Sequence, residues 1–336
     1  MMRNAHRAKN GAMIGALTAA VVAAMVLASG SAASAQTKLR VIIFPTLANI
    51  AQYAAQARGY YAKRGLEVEL VGTPNSDETR EGLAQGRYQI AHGGVDNAVA
   101  QVENDKTDLF ICMGGNNGFN SLIVQGEIAS YADLRGKTLA VDSPLTAFAI
   151  LMYKMLEVKG VKRGDYMVKA VGGSPQRFQA LRQDKSFAGA ILNPPFTLLA
   201  QDAGLKELDA AIDVVGPYQS DGGWVLRSWA KANEDTLVRY IAANIEGMRF
   251  ALDPANTDAM SAIVAERLKL SPAMAARAMR FVLDKKGFAP DARFDMEGFR
   301  NALKLRAEML GTWGGTPPAP EKYLDLSYYQ RALAGL

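Results

Sequence analysis

Cysteine and histidine are almost missing from this 336-residue sequence, which has one cysteine, Cys112, and two histidines, His6 and His92. A lone cysteine excludes a disulfide within the chain. With so few histidines beside it, no set of Cys/His ligands at zinc spacing remains. Cys112 stands in the apolar run LFICM, which reads as a buried strand and keeps the thiol from a catalytic base. No G-x-S-x-G turn occurs, so a Ser–His mechanism would depend on His92, expected here as a packed or solvent-touching side chain. The glycines, including Gly93-Gly94, form neither a P-loop nor a G-x-G-x-x-G turn. The expectation is a chain with no catalytic residue, no metal and no cofactor.

Strong charge is missing too. The 38 Lys and Arg against 33 Asp and Glu give +5, and three of the basic residues (Arg3, Arg7, Lys9) open the chain. An apolar stretch, Gly11–Leu27, follows them and leads to Ala33-Ser34-Ala35. A basic start, an apolar run and an A-x-A site make a secretory signal peptide, expected over residues 1–35 with cleavage after Ala35. The run is Ala-rich and short for a bilayer, and no cysteine lies beside the site to carry a lipid. Without this leader the charge falls to +2 and no basic run remains, which argues against a nucleic-acid partner. No later apolar run reaches membrane-spanning length, so the exported part is expected to be soluble.

What is present is alternation. LRVIIF (39–44), LEVELV (66–71), YQIAHGG (88–94) and DLFICMGG (108–115) read as strands, with helical spacing between them. A second series starts at KTLAVDS (137–143) and runs through YMVKAV (166–171) and FAGAILN (187–193) to a return strand at Trp224–Arg227. From Asn233 the chain reads as successive helices, whose charged positions are expected to be solvated faces. Alternating strands and helices imply parallel or mixed sheets with helices on their faces, and about 300 residues suit two lobes or one large domain.

Four segments in this order, ARGYYAKRGLEVELV (57–71), GLAQGRYQIAHGG (82–94), YADLRGKTLAVDSP (131–144) and WVLRSWAKAN (224–233), carry a resemblance. The chain resembles the periplasmic solute-binding proteins of ABC importers, in the branch with alkanesulfonate-, taurine-, nitrate- and thiamine-precursor-binding members. The resemblance implies an α/β, two-lobed type II (Venus-flytrap) fold with two interlobe crossovers. The strand order and the return through Trp224 place residues 37–123 and 227–336 in lobe 1 and 124–226 in lobe 2, joined near Leu122–Gly126 and Gly223–Leu226. The resemblance also implies a monomer in the periplasm that hands a small solute to an inner-membrane permease.

In such a fold the strand ends, and the helix N-termini after them, face the cleft, where free N–H groups bind polar or anionic groups. The candidate contacts are therefore Thr46, Asn49, Ser76, Asp77, Asp96, Asn97, Asn116, Asn117, Asp142, Ser143, Thr146, Ser174 and Asn193. Each has a second reading as an ordinary cap or turn residue of its own segment. Among the strand-end aromatics Phe44, Phe119, Phe196 and Trp224, the last two are the expected wall for a flat ligand, with core packing as the alternative. Arg177 is the one cation expected there, against Asp77, Asp96 and Asp142. That mixture disfavours a multiply charged anion. A small organic acid or sulfonate-like solute fits, and so does a neutral or amine-bearing heterocycle. An exported sensor module is a further alternative. Fungal thiamine-pyrimidine synthases share the fold but carry a Cys-rich motif that this chain lacks.

Overall fold

A computed structural model describes residues 36–336; the expected signal peptide lies outside them. Ten strands run in chain order: β1 Thr37–Ile43, β2 Leu66–Gly72, β3 Ile90–Gly94, β4 Leu109–Gly114, β5 Ser121–Val124, β6 Thr138–Val141, β7 Met167–Ala170, β8 Phe187–Leu192, β9 Lys206–Ala210 and β10 Asp221–Leu226. They form two five-stranded sheets, ordered β2-β1-β3-β10-β4 and β7-β6-β8-β5-β9. In the first, β1 runs parallel to β2 and β3, and β10 lies antiparallel between β3 and β4. In the second, β6 runs parallel to β7 and β8, and β5 lies antiparallel between β8 and β9. The two sheets share one plan, and each receives one strand reached by a crossover from the other.

Those crossovers fall earlier than the sequence reading expected. The chain leaves the first sheet at Gly114 and enters the second at Ser121, and it is back in the first by Asp221. Residues 121–123 therefore pair within the second sheet, and 221–226 within the first. The physical reason is pairing: β5 and β10 each have a hydrogen-bonded neighbour on both sides, and a strand held on both edges is no linker. The return strand accordingly starts three residues before Trp224.

Burial explains the near-continuous apolar strands. Every residue of β4, β5 and β8 is buried, as expected for strands covered on both faces. The long C-terminal helix Glu234–Leu252 packs on Ile50–Ala57 so closely that a Cβ at Gly247 would lie 2.2 Å from the carbonyl oxygen of Ala51. Not every charge of the C-terminal helices is solvated. Arg306, on Met296–Leu310, is 1 % exposed, a correction whose cause is the acid it meets. Among the described residues no helix is long and apolar enough to cross a membrane.

Candidate functional site

β1, β2, β6, β7 and β8 each end in a polar turn, and turns of the two sheets meet. Leu47 N, after β1, donates to Pro194 O, after β8, at 3.0 Å, and Gly173 N, after β7, donates to Pro74 O, after β2, at 2.9 Å. Ala147 N, at the start of helix Ala147–Val158, donates to Asn97 Oδ1 at 2.9 Å. Ser76, first residue of helix Ser76–Ala84, donates its N–H to Asp142 Oδ2 at 3.2 Å and its hydroxyl to the same oxygen. Asn97 Nδ2 donates to Ser76 Oγ at 3.0 Å, so Asp142, Ser76, Asn97 and Ala147 form one buried chain of hydrogen bonds across the two sheets. The approach requires Gly94, where a Cβ would come within 2.8 Å of the Ala147 Cβ.

Between these turns lies a cavity of about 20 Å³, room for roughly one water. Of the sequence-derived candidates, Thr46, Ser76, Asn97, Asp142, Thr146, Ser174 and Asn193 line it. Two aromatic rings, Phe44 and Phe148, flank it, and Arg177 and Asp221 complete its polar lining.

The electrostatics are mixed. Arg177 is 2 % exposed and donates to Ile191 O at 3.0 Å, Gly172 O at 2.8 Å and Ser174 Oγ at 3.0 Å. Burial lowers its pKa to about 10, against the opposing field of Asp142. Asp221 is pushed up to about 6 by burial, although Asn116 and Ser220 donate to its carboxylate. Asn193 Oδ1 is a buried acceptor with no partner.

Other candidates are used elsewhere. Asp77 is exposed and pairs with Arg80 at 2.6 Å. Asp96 is held bidentate by Arg306, Nε to Oδ1 at 2.7 Å and Nη2 to Oδ2 at 2.9 Å. Asn49 donates to Phe44 O at 2.6 Å, and Asn116 orients Asp221 from behind at 2.9 Å. Asn117 lines separate pockets. Ser143 is not among the residues lining the cavity; its carbonyl caps Thr146. Phe196 packs on Phe178, with ring centroids 6.0 Å apart. Trp224 is fully buried in the core, because its strand is paired on both sides, so it forms no wall.

Neither His92 nor Cys112 lies at the cavity. His92 is buried against Gln52 and Tyr240 Oη, and burial drives its pKa down to about 3. Cys112 is buried with its thiol pushed up to about 12. Sequence reasoning passed over Phe148, Asp221 and Arg306. Of these only Asp221 left a local signal, a carboxylate beside two glycines where a strand begins.

Two sheets of one plan with polar turns facing across a cleft define a periplasmic-binding-protein fold. The chain belongs to the NMT1/THI5-like family, which it matches over residues 48–257. It is similar in structure to the periplasmic nitrate-binding protein NrtA of Synechocystis PCC 6803, with a TM-score of 0.74 at 14% identity, covering 90% of this chain and 89% of that one. It is also similar to the alkanesulfonate-binding protein SsuA of Xanthomonas axonopodis pv. citri bound to MOPS, with a TM-score of 0.65 at 16% identity, covering 89% and 98%. A desulfurization enzyme, DSZB, has a TM-score of 0.63 at 14% identity, covering 89% and 99%, so the fold alone does not decide between binding and catalysis. No curated protein sequence matches the chain.

Proposed function

We propose that this protein is a periplasmic solute-binding component of an ABC importer, a monomer that closes on one small solute and delivers it to an inner-membrane permease without chemical change. The two lobes are the two sheets with their helices. The observation that carries the reading is the meeting of turns from both sheets around one polar cavity, with His92 and Cys112 buried elsewhere.

For the solute, the hydrogen bonding favours a neutral or amine-bearing ring compound over an acid. The helix N–H groups expected to receive an anion already have carboxylate or amide partners at Ser76 and Ala147. Asp142, Asp221 and the unpartnered Asn193 Oδ1 line the cavity, acceptors that call for N–H or O–H donors. Phe44 and Phe148 line the same cavity, and aromatic side chains suit a flat ring. A small acid or sulfonate is the second reading, and the charge of Arg177 supports it. Calorimetry of the mature protein against amine-bearing heteroaromatics, alkanesulfonates and nitrate tests both. Saturable binding that Asn97→Ala weakens supports a cleft site, and the class that binds decides the solute. Turnover of any bound compound would overturn the transport reading.

A further inference from the structure

A second cavity, of about 330 Å³, lies where the chain crosses from β4 to β5, within the size range of small-molecule pockets. Phe119 and Phe281 form its apolar side, with ring centroids 6.0 Å apart. Lys285, Lys286, Glu207 and Asp213 line it as well. Asn120, 2 % exposed, also lines it. The orientation of its amide is set by a chain of donors. The single hydroxyl proton of Ser220 goes to Asp221 Oδ2 at 3.1 Å, so Ser220 Oγ accepts from Asn120 Nδ2 at 2.8 Å. That leaves Asn120 Oδ1 buried without a donor.

We propose that this crossover cavity is a second ligand site, distinct from the cleft, for an amino-acid-like zwitterion with an apolar side chain. The side chain stacks on Phe119 and Phe281. The ammonium faces Glu207 and Asp213, and the carboxylate meets Lys285 and Lys286. Through Ser220 the site touches the Asp221 carboxylate of the cleft, so occupancy bears on both faces of the crossover.

The probe is L-phenylalanine, titrated into ¹⁵N-labelled protein with no cleft solute present. The expected result is saturable binding with shifts centred on the amides of Gly118, Asn120, Ser121 and Gly287. Ile212→Trp, at an exposed lining position, should weaken binding by filling the mouth, and Lys285→Glu should weaken it about tenfold or more, as loss of a charge-assisted bond does, both with melting temperature unchanged. Phenethylamine and hydrocinnamate, each carrying one of the two charges, should bind more weakly than the zwitterion. The proposal is overturned by absence of saturation at about 10 mM, by shifts confined to the cleft amides of Gly94 and Asn97, by equal binding of the one-charge analogues, or by variants that bind like wild type. None of these outcomes depends on the identity of the cleft solute.

Discussion

The Asp142 carboxylate, carried by the second sheet, accepts both the backbone N–H and the hydroxyl of Ser76, the first residue of a helix on the first. A carboxylate at a helix N-terminus sits at the positive end of the helix dipole, so this contact is a charge-assisted clasp between the two halves. Hydrogen bonds to a charged group contribute roughly 1.5–3 kcal/mol. Ser76→Ala is therefore expected to favour the open form and to enlarge the radius of gyration in solution scattering. An unchanged radius would mean that the clasp does not set the opening. Ser143→Ala, by contrast, should leave both opening and binding as they are, because Ser143 does not line the cavity.

Gly94 gives a steric test of the same closure. A methyl group there meets the Ala147 Cβ at 2.8 Å, closer than packed carbons approach. Gly94→Ala should hold the sheets apart and weaken solute binding about tenfold or more, while urea unfolding stays close to wild type. A variant that binds normally would place the solute outside this closure.

Two buried groups should tilt stability with pH in opposite senses. Asp221 has its pKa raised from 3.8 to about 6, so its contribution is greatest below pH 3.8 and is lost as pH rises through 6. A rise of that size corresponds to roughly 3 kcal/mol against the ionised form. His92 has its pKa lowered from 6.5 to about 3, so its contribution is present above pH 6.5 and is lost as pH falls toward 3. Asp221→Asn should raise the urea midpoint at pH 7.5 and have little effect at pH 4. His92→Gln should flatten the loss on acidification. Parallel pH profiles for the two variants would contradict both assignments.

The Asp96–Arg306 pair makes a stability prediction. Both side chains are nearly inaccessible, at 3% and 1%, and removing one partner leaves a buried charge, which costs about 3–5 kcal/mol. Arg306→Met should lower the melting temperature strongly, and adding Asp96→Asn should recover part of the loss. If the single variant melts like wild type, the pair is not the anchor that its geometry describes.

How far the sequence spoke differs between fold and site. Strands and helices were legible because LRVIIF, LEVELV and FAGAIL are short β-branched or small-residue runs bounded by turn residues, and each is a strand at that place. The strand-end rule brought Ser76, Asn97, Asp142, Thr146, Ser174 and Asn193 to one cavity. The state of each acid was not legible in the same way. Asp96 is neutralised by a residue 210 positions later, a partner that no local pattern shows. Asp77 had a local signal in Arg80, three residues on. Trp224 was misplaced because the start of its strand lies three residues earlier, which sets the indole within a paired strand rather than at its end.

The proposed function requires the cleft between the two sheets to open for a solute and close around it. Because the cavity holds about 20 Å³, anything larger than a water requires the sheets to part. The only cysteine, Cys112, is buried, so spin labels can be placed at Gln85→Cys and Lys169→Cys, one exposed position beside each sheet. Pulsed electron–electron resonance then measures the separation directly. A broad distribution without solute should contract to one narrow, shorter distance when a compound from the binding screen is added. The same distribution with and without every compound that binds would contradict the proposed function.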